Sequence, residues 1–250
     1  EPRWRRRKTW ELMHSGKKIL TFIGARGKSK GLKNKNILPF CGKPLILWTI
    51  GAALKSKYVD SVLVSTDSPE IAEISKQAGA SVPFLRPSKY AEDHVPQMEA
   101  VYHCLDWLRE NNQMDYHLFM LLQPTSPLRT SRHIDQAIDF YFNHRKTDED
   151  TLVSVKSLNP KMAWVMEEER EGYITFCIKN GENRQLCLPT YLPNGAIYIS
   201  PIKGLVERMG FYTNKTLRFL MNETESIDID TIEDFKQAET SFLEILKNHI

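Results

Sequence analysis

The sequence predicts an α/β protein built on a mainly parallel sheet, and three observations carry that prediction. Short apolar or β-branched runs alternate with segments of helical spacing along most of the chain, a rhythm that belongs to α/β folds. Prolines and glycines stand at the junctions, where they start or end helices. One run, "YHLFMLLQPTSP" (116–127), is continuously hydrophobic, as a strand covered on both faces must be.

Each element follows in order. "KILTFI" (18–23) is a buried strand ending in Gly24. "KPLILWTIGAALKS" (43–56) has helical spacing, with Pro44 near its start, where a missing N–H costs nothing. "DSVLVSTD" (60–67) is a second strand. It runs into the helix "SPEIAEISKQAGA" (68–80), where Ser68 caps, Pro69 takes the first helical position and Glu70 complements the dipole. Gly79 closes that helix, and "SVPFLRP" (81–87) is expected to be a third, shorter strand. A helix over 96–112, the strand at 116–127, a helix over 131–144 and a strand over 150–158 continue the alternation. Residues 159–195 break it and are expected to form a β-rich insertion or arm, with turns at "EEREG" and "KNGEN". "GAIYISP" (195–201) returns to the sheet. "ESIDIDTIEDFKQAETSFLEIL" (225–246) runs from strand to helix, with Thr231 and Asp234 as a capping-box-like start.

Composition and charge narrow the function. At 250 residues, 41% hydrophobic and 26% charged, the chain suits one large soluble domain. No apolar run approaches the roughly 18 residues of a membrane span. The net charge of +3 resides wholly in residues 1–16, which carry five Lys/Arg and two Glu, and the remaining 234 residues balance. That argues against a nucleic-acid binder. Residues 1–16 are expected to be a disordered or non-native basic tail, with the folded domain over 17–250. Four cysteines without CxxC or metal-like spacing fit the reduced thiols of a cytoplasmic protein.

The stretch "IGARGKSKGLKNKN" (23–36) holds five cations and three glycines with no acid. It is not a Walker A loop, because Phe22 stands where that motif needs its first glycine, and its glycines miss the dinucleotide fingerprint. Placed after a strand and before a helix, it still favours an anion. Glycines let backbone N–H groups approach, and Arg26, Lys30 and Lys35 counter several negative charges. In "SIDID", strand alternation would set Asp228 and Asp230 on one face about 6.5–7 Å apart, a hard-cation pattern suited to Mg²⁺. The same pattern fits acids that merely precede a capped helix. The seven histidines form no H-x-x-x-H pair, and no G-x-S-x-G elbow is present, so the chemistry points to charge and metal.

Seven segments, "ARGKSKGLKNKNI", "GKPLILWTI", "VSTDSPEIAEI", "GASVPFLRP", "LLQPTSPLR", "PNGAIYI" and "SIDIDTIED", fall in the order found in the acylneuraminate cytidylyltransferases. Those are the CMP-sialic acid synthetases and their legionaminate and pseudaminate relatives, and the resemblance runs from residue 18 to 240. It implies a Rossmann-like, GT-A-like three-layer nucleotidyltransferase fold and Mg²⁺-dependent transfer of CMP from CTP to a nine-carbon acidic sugar. Arg26, Ser29, Lys30, Lys35, Asn36 and Arg86 match CTP-binding positions, with Arg26, Lys30 and Asp230 in catalytic roles. Gln123, Lys161, Arg184, Tyr198, Phe211 and Tyr212 match positions on the sugar side, and Asp228 and Asp230 match the metal carboxylates. The resemblance further implies a homodimer whose insertion reaches over the partner's site. Kdo-activating enzymes are similar in plan but usually lack "KNKN"; they and a catalytically silent nucleotide binder are the alternative readings. The chain departs from the family loop Pro-Ala-Arg-Gly-Gly-Ser, with Gly24 for proline and Lys28 for the second glycine. A positive φ at position 28 would strain Lys28. Tyr212 also stands where an aromatic without a hydroxyl is common.

Overall fold

The computed structural model describes residues 16–29, 31–159, 165–170, 173–177, 188–208 and 210–247. The chain enters through β1 (Ile19–Gly24), crosses the basic loop and a short 3-10 turn at Lys35–Ile37, and makes a small hairpin of β2 (Pro39–Phe40) and β3 (Lys43–Pro44). Cys41 and Gly42 form its two-residue turn, both at positive φ as such hairpins require. Then follow α1 (Leu45–Lys55), β4 (Ser61–Ser65), α2 (Pro69–Gln77), α3 (Gln97–Glu110), β5 (Leu118–Leu121), α4 (Ser131–His144) and β6 (Thr151–Ser157). A separate antiparallel pair, β7 (Met166–Arg170) and β8 (Tyr173–Phe176), precedes β9 (Tyr191–Pro201), α5 (Ile202–Arg208), β10 (Thr216–Leu220) and α6 (Ile232–Lys247).

The central sheet has the order β10-β6-β9-β5-β1-β4. β4, β1 and β5 are parallel, as are β6 and β10, while β9 pairs antiparallel with both β5 and β6. The sheet is therefore mainly parallel with one reversed strand near its middle. Strand alternation divides the core into two layers. Ile19, Ile23, Leu118, Met120 and Leu122 face α1, α2 and α4, where Ile46, Ile50, Ile71, Ile134 and Ile138 meet them. Leu20, Phe22, Phe119 and Leu121 face the other way, against Val101, Cys104 and Leu105 of α3 and Leu205 of α5. Each such side chain contributes about 1.5–3 kcal/mol by leaving water, which is why β5 is apolar throughout and β1 carries one polar side chain, the buried Thr21.

Helix starts follow their sequence signals. Ser68 accepts a hydrogen bond from the Ile71 N–H, with Pro69 at the first helical position and Gly79 at φ +93 past the end. Thr231 and Asp234 form the expected reciprocal cap of α6: the Asp234 N–H donates to Thr231 Oγ1 at 3.2 Å and the Thr231 N–H to Asp234 Oδ2 at 2.8 Å.

Two expected strands are not strands. Residues 81–87 make a single parallel bridge, Ser81 with Leu63, because Pro83 and Pro87 lack the donors a ladder needs. In "SIDID", Ser226 ends a 3-10 turn (Thr224–Ser226) and residues 227–230 join no ladder: the Ile229 N–H donates to the Thr125 carbonyl at 2.9 Å, anchoring the segment to a loop. α6 then packs on the β2–β3 hairpin and α1 through Phe40, Leu45, Ile229, Phe235 and Ala238.

Candidate active site at the carboxyl edge of the sheet

Parallel strands deliver their loops to one edge, and three of those loops meet here. β1 ends at Gly24 beside Ser65 at the end of β4, and the Ala25 N–H continues the pairing to the Ser65 carbonyl at 3.0 Å. β5 ends two residues before Gln123, and Thr125 receives the Ile229 N–H. Between the basic loop, Gln123–Thr125, Asp228, Asp230 and the segment from Tyr90 to Gln97 lies a cavity of about 530 Å³.

The basic loop is shaped by its own side chains. The Asn36 Nδ2 amide donates to the Arg26 carbonyl at 3.0 Å, and Ser29 Oγ donates to the Leu32 carbonyl at 2.9 Å. Asp67, in "STD", accepts the Gly27 N–H at 2.8 Å. Gly31 has no room for a side chain, since a Cβ there would collide with the Asp230 carbonyl oxygen. Lys35 crosses the same contact, donating to the Ile229 carbonyl at 2.6 Å and to Asp230 Oδ1 at 2.9 Å. Loop and "SIDID" are thus one unit, joined across nearly the whole length of the chain. Among the described residues, the positive-φ positions other than glycine are Asn34, Cys41 and Asn112. Lys28 is not one of them, so the strain expected there is absent.

Two of the loop's cations are held by acids. Arg26 Nη1 pairs with Asp93 Oδ1 at 2.9 Å, and Lys35 with Asp230. Partly exposed pairs of this kind contribute only about 0–1 kcal/mol, so a polyanion can exchange for them cheaply. Arg86 differs. It is buried, its Nε donates to Ser65 Oγ at 3.0 Å and its Nη2 to the Ser65 carbonyl at 2.5 Å. Burial pulls its pKa down to about 10, against which the Asp67 carboxylate acts. It remains a fixed positive group lining the cavity floor.

Asp228 and Asp230 both line the cavity. Asp228 is held above the usual carboxylate range, chiefly by burial and further by the charge of Asp230, with a Thr125 hydrogen bond opposing. Its Oδ1 is buried without a hydrogen-bond partner among the described residues. Two neighbouring carboxylates with an unsatisfied oxygen are the donors a hard cation takes, and Mg²⁺ commonly uses one or two carboxylates together with phosphate oxygens. The residues present fit that ion. Among the described residues no larger cluster of His, Cys, Asp and Glu is arranged for a metal.

Of the residues expected on the sugar side, Gln123 lines the cavity and its Nε2 donates to Gln97 Oε1 at 3.1 Å. Tyr198, Phe211 and Tyr212 form an aromatic group beside the cavity, not in its wall. The Tyr198 ring lies 5.4 Å from Phe211 and 6.3 Å from Tyr212. Tyr198 is nonetheless close enough to Asp228 to feel its charge; burial, Tyr212 and Asp228 together raise its pKa. Lys30, Lys161 and Arg184 lie outside the described residues. Sequence reasoning missed Asp67, Asp93 and Gln97. Asp67 closes the segment read from sequence as a second strand, Asp93 lies in an irregular stretch whose sequence carries no period, and Gln97 opens α3, whose helical period reports its core face and not what its first residue meets.

A cytidylyltransferase family model matches residues 20–167. The CMP-N,N'-diacetyllegionaminic acid synthase of Legionella pneumophila is 36% identical over 89% of this chain and 95% of its own length. An N-acylneuraminate cytidylyltransferase of Escherichia coli is 35% identical over 89% of this chain, which spans 52% of that longer protein. In fold, the chain resembles a CMP:2-keto-3-deoxy-manno-octonic acid synthetase complexed with CTP, at a TM-score of 0.69 and 15% identity over 91% of this chain and 99% of that one. The chain belongs to the cytidylyltransferases, and within them to the acylneuraminate cytidylyltransferase group.

Proposed function

We propose that this protein activates a nine-carbon acidic sugar, a sialic, legionaminic or related nonulosonic acid, by transferring CMP from CTP. The observation that carries the proposal is the direct contact between the anion loop and the paired carboxylates across one cavity. The anomeric hydroxyl of the sugar attacks the α-phosphorus of CTP. A new O–P bond forms, the bond to the β-phosphate oxygen breaks, pyrophosphate leaves and the hydroxyl proton passes to solvent. Arg26, released from Asp93, would bind phosphate oxygens bidentately, and the buried Arg86 supplies fixed positive charge. Lys30 is assigned to the leaving pyrophosphate from the family pattern. Ser29 and Asn36 hold the loop in shape, with their polar atoms already bonded to its backbone. Asp228 and Asp230 would hold Mg²⁺, whose charge, when bound, orients the triphosphate and offsets the charge of the transition state. Most of the acceleration then comes from positioning.

The sugar is assigned to Gln123, with Tyr198, Phe211 and Tyr212 behind it and Lys161 and Arg184 at its carboxylate. We place the enzyme in the cytoplasm as a homodimer, with residues 159–195 reaching the partner's site; light scattering on the full chain tests the dimer.

Pyrophosphate release from CTP across a panel of eight- and nine-carbon ulosonic acids tests the function. Turnover with nonulosonic acids is expected; turnover confined to eight-carbon acids, or CTP binding without turnover, would overturn the proposal. Asp230→Ala should lower kcat by about 10²–10³-fold with the fold intact. Turnover near that of the unaltered protein would remove Asp230 from the chemistry.

A further inference from the structure

A second cavity, about 560 Å³, opens between α1, α4, α6 and the end of β10, on the far side of the Gln123–Arg129 loop from the active site. Arg129 lines it, and is the largest fully buried side chain among the described residues. Its Nη2 donates to Thr49 Oγ1 at 2.6 Å, but Nε and Nη1 are buried with no partner among the described residues. Burial alone pulls its pKa down to about 9; among the described residues no carboxylate stands near enough to oppose this. A buried guanidinium without a counter-charge is costly, and such groups in proteins are ordinarily paired.

The surroundings repeat the deficit. Lys43, Lys55 and Arg132 also line the cavity, and among the described residues none of them has a carboxylate partner. The wall includes the first turn of α4, where Thr130 caps the His133 N–H and leaves the Ser131 and Arg132 N–H groups at the positive end of a 14-residue helix. Among the described residues the single acid in the wall is Glu225, which pairs with His133 at 3.2 Å, and the His133 ring lies close enough to Arg129 to feel its charge. The wall also includes Trp48 and Phe242, whose ring centroids lie 4.4 Å apart, with the Lys43 ammonium 3.6 Å over the Trp48 ring.

We propose that this cavity is a second binding site, for a phosphate monoester carried on a flat apolar body. Four cations and two free helix N–H groups against one already-paired acid call for a dianion, and the Trp48 and Phe242 faces call for a planar apolar partner. The occupant lies outside the CTP cavity, with the Arg129–Thr49 contact between them. It supplies the counter-charge Arg129 lacks.

Phenyl phosphate and inorganic phosphate are the probes, titrated calorimetrically into the full chain with CTP saturating the basic loop. CTP binding is measured first, so a failure of the loop site is seen separately. One further equivalent of phenyl phosphate should bind, at least tenfold tighter than inorganic phosphate, and should quench Trp48 emission in a way Trp48→Phe abolishes. Lys55→Glu and Arg132→Glu should each weaken phenyl phosphate at least tenfold and leave turnover unchanged. Arg129→Met should fold without the ligand-dependent rise in Tm; should it fail to fold, the two rim variants decide. No binding in the CTP-saturated protein overturns the proposal. So does equal affinity for both probes that ignores Lys55→Glu and Arg132→Glu, which would mean an adventitious ion only.

Discussion

Asp228 is a carboxylate kept at a disadvantage: among the described residues its buried Oδ1 has no donor, and Asp230 adds like charge beside it. An unsatisfied buried charged oxygen costs about 1–3 kcal/mol or more, a cost that a cation on the pair removes. Asp228→Asn keeps the shape and deletes the charge, so the ligand-free variant should be more stable. In a chain of this size, about 1 kcal/mol recovered raises Tm by about 2–4 °C, while kcat should fall by at least about 10²-fold. Thermal scans of both proteins without divalent cation check this; a lower Tm for Asp228→Asn would show that the carboxylate is stabilising, and the strain argument would fail. The pair itself was legible in "SIDID", but its setting was not. Its two residues were expected to alternate on a strand. Instead a hydrogen bond to Thr125 holds the segment as an anchored extended stretch, and that partner lies about a hundred residues away in sequence. Lys28 gives the converse case. A departure from the family loop pointed to strain, yet the backbone there stays out of the positive-φ region, because Asn36, Ser29 and Asp67 hold the loop through neighbouring atoms.

Strands and helices were the readable level, since periodicity is local and both layers of the core follow from it. What failed locally failed for stated reasons: two prolines in 81–87 remove ladder donors, and the direction of β9 is not encoded in its own residues. β9 also carries the element-level constraint nearest the site. The ladder with β6 shifts register between Val153 and Val155, opposite the point where Gly195 takes φ +75. A Cβ on Gly195 would strike Gln123 Oε1 and come 3.3 Å from Asp228 Oδ2. Gly195→Ala therefore meets both a left-handed backbone, worth about 1–2 kcal/mol against an L side chain, and a displaced Gln123. On the proposed assignment of Gln123 to the sugar, KM for the sugar should rise at least tenfold and KM for CTP much less. Steady-state kinetics with each substrate varied separate the two; an equal rise in both would remove Gln123 from sugar recognition.

At the scale of the whole molecule, the site exists only because the last quarter of the chain closes on its first. Lys35 is tied to Ile229 and Asp230, and Gly31 is packed against the Asp230 carbonyl. Beneath them Phe40, Leu45, Ile229, Phe235 and Ala238 form a small core distinct from the two faces of the sheet. Phe40 and Phe235 meet edge to face with centroids 5.5 Å apart. That satellite core is the mechanical link between α6 and the anion loop, and none of its long-range contacts is visible in a local reading of sequence. Phe235→Ala should cost about 3 kcal/mol in chemical denaturation, at the lower end for a buried aromatic because the site can partly collapse. More specifically, it should weaken CTP binding although Phe235 does not line the cavity, because loosening α6 frees Ile229 and Asp230 from Lys35. Phe119, equally part of the core but facing α3, serves as the control: Phe119→Leu should lower stability with little change in CTP affinity. Both variants would be measured at a temperature and denaturant concentration where each is fully folded. If CTP affinity falls alike in both, the loss reflects general destabilisation; if it falls in neither, the loop holds its shape without α6 and the coupling between the chain's two ends is wrong.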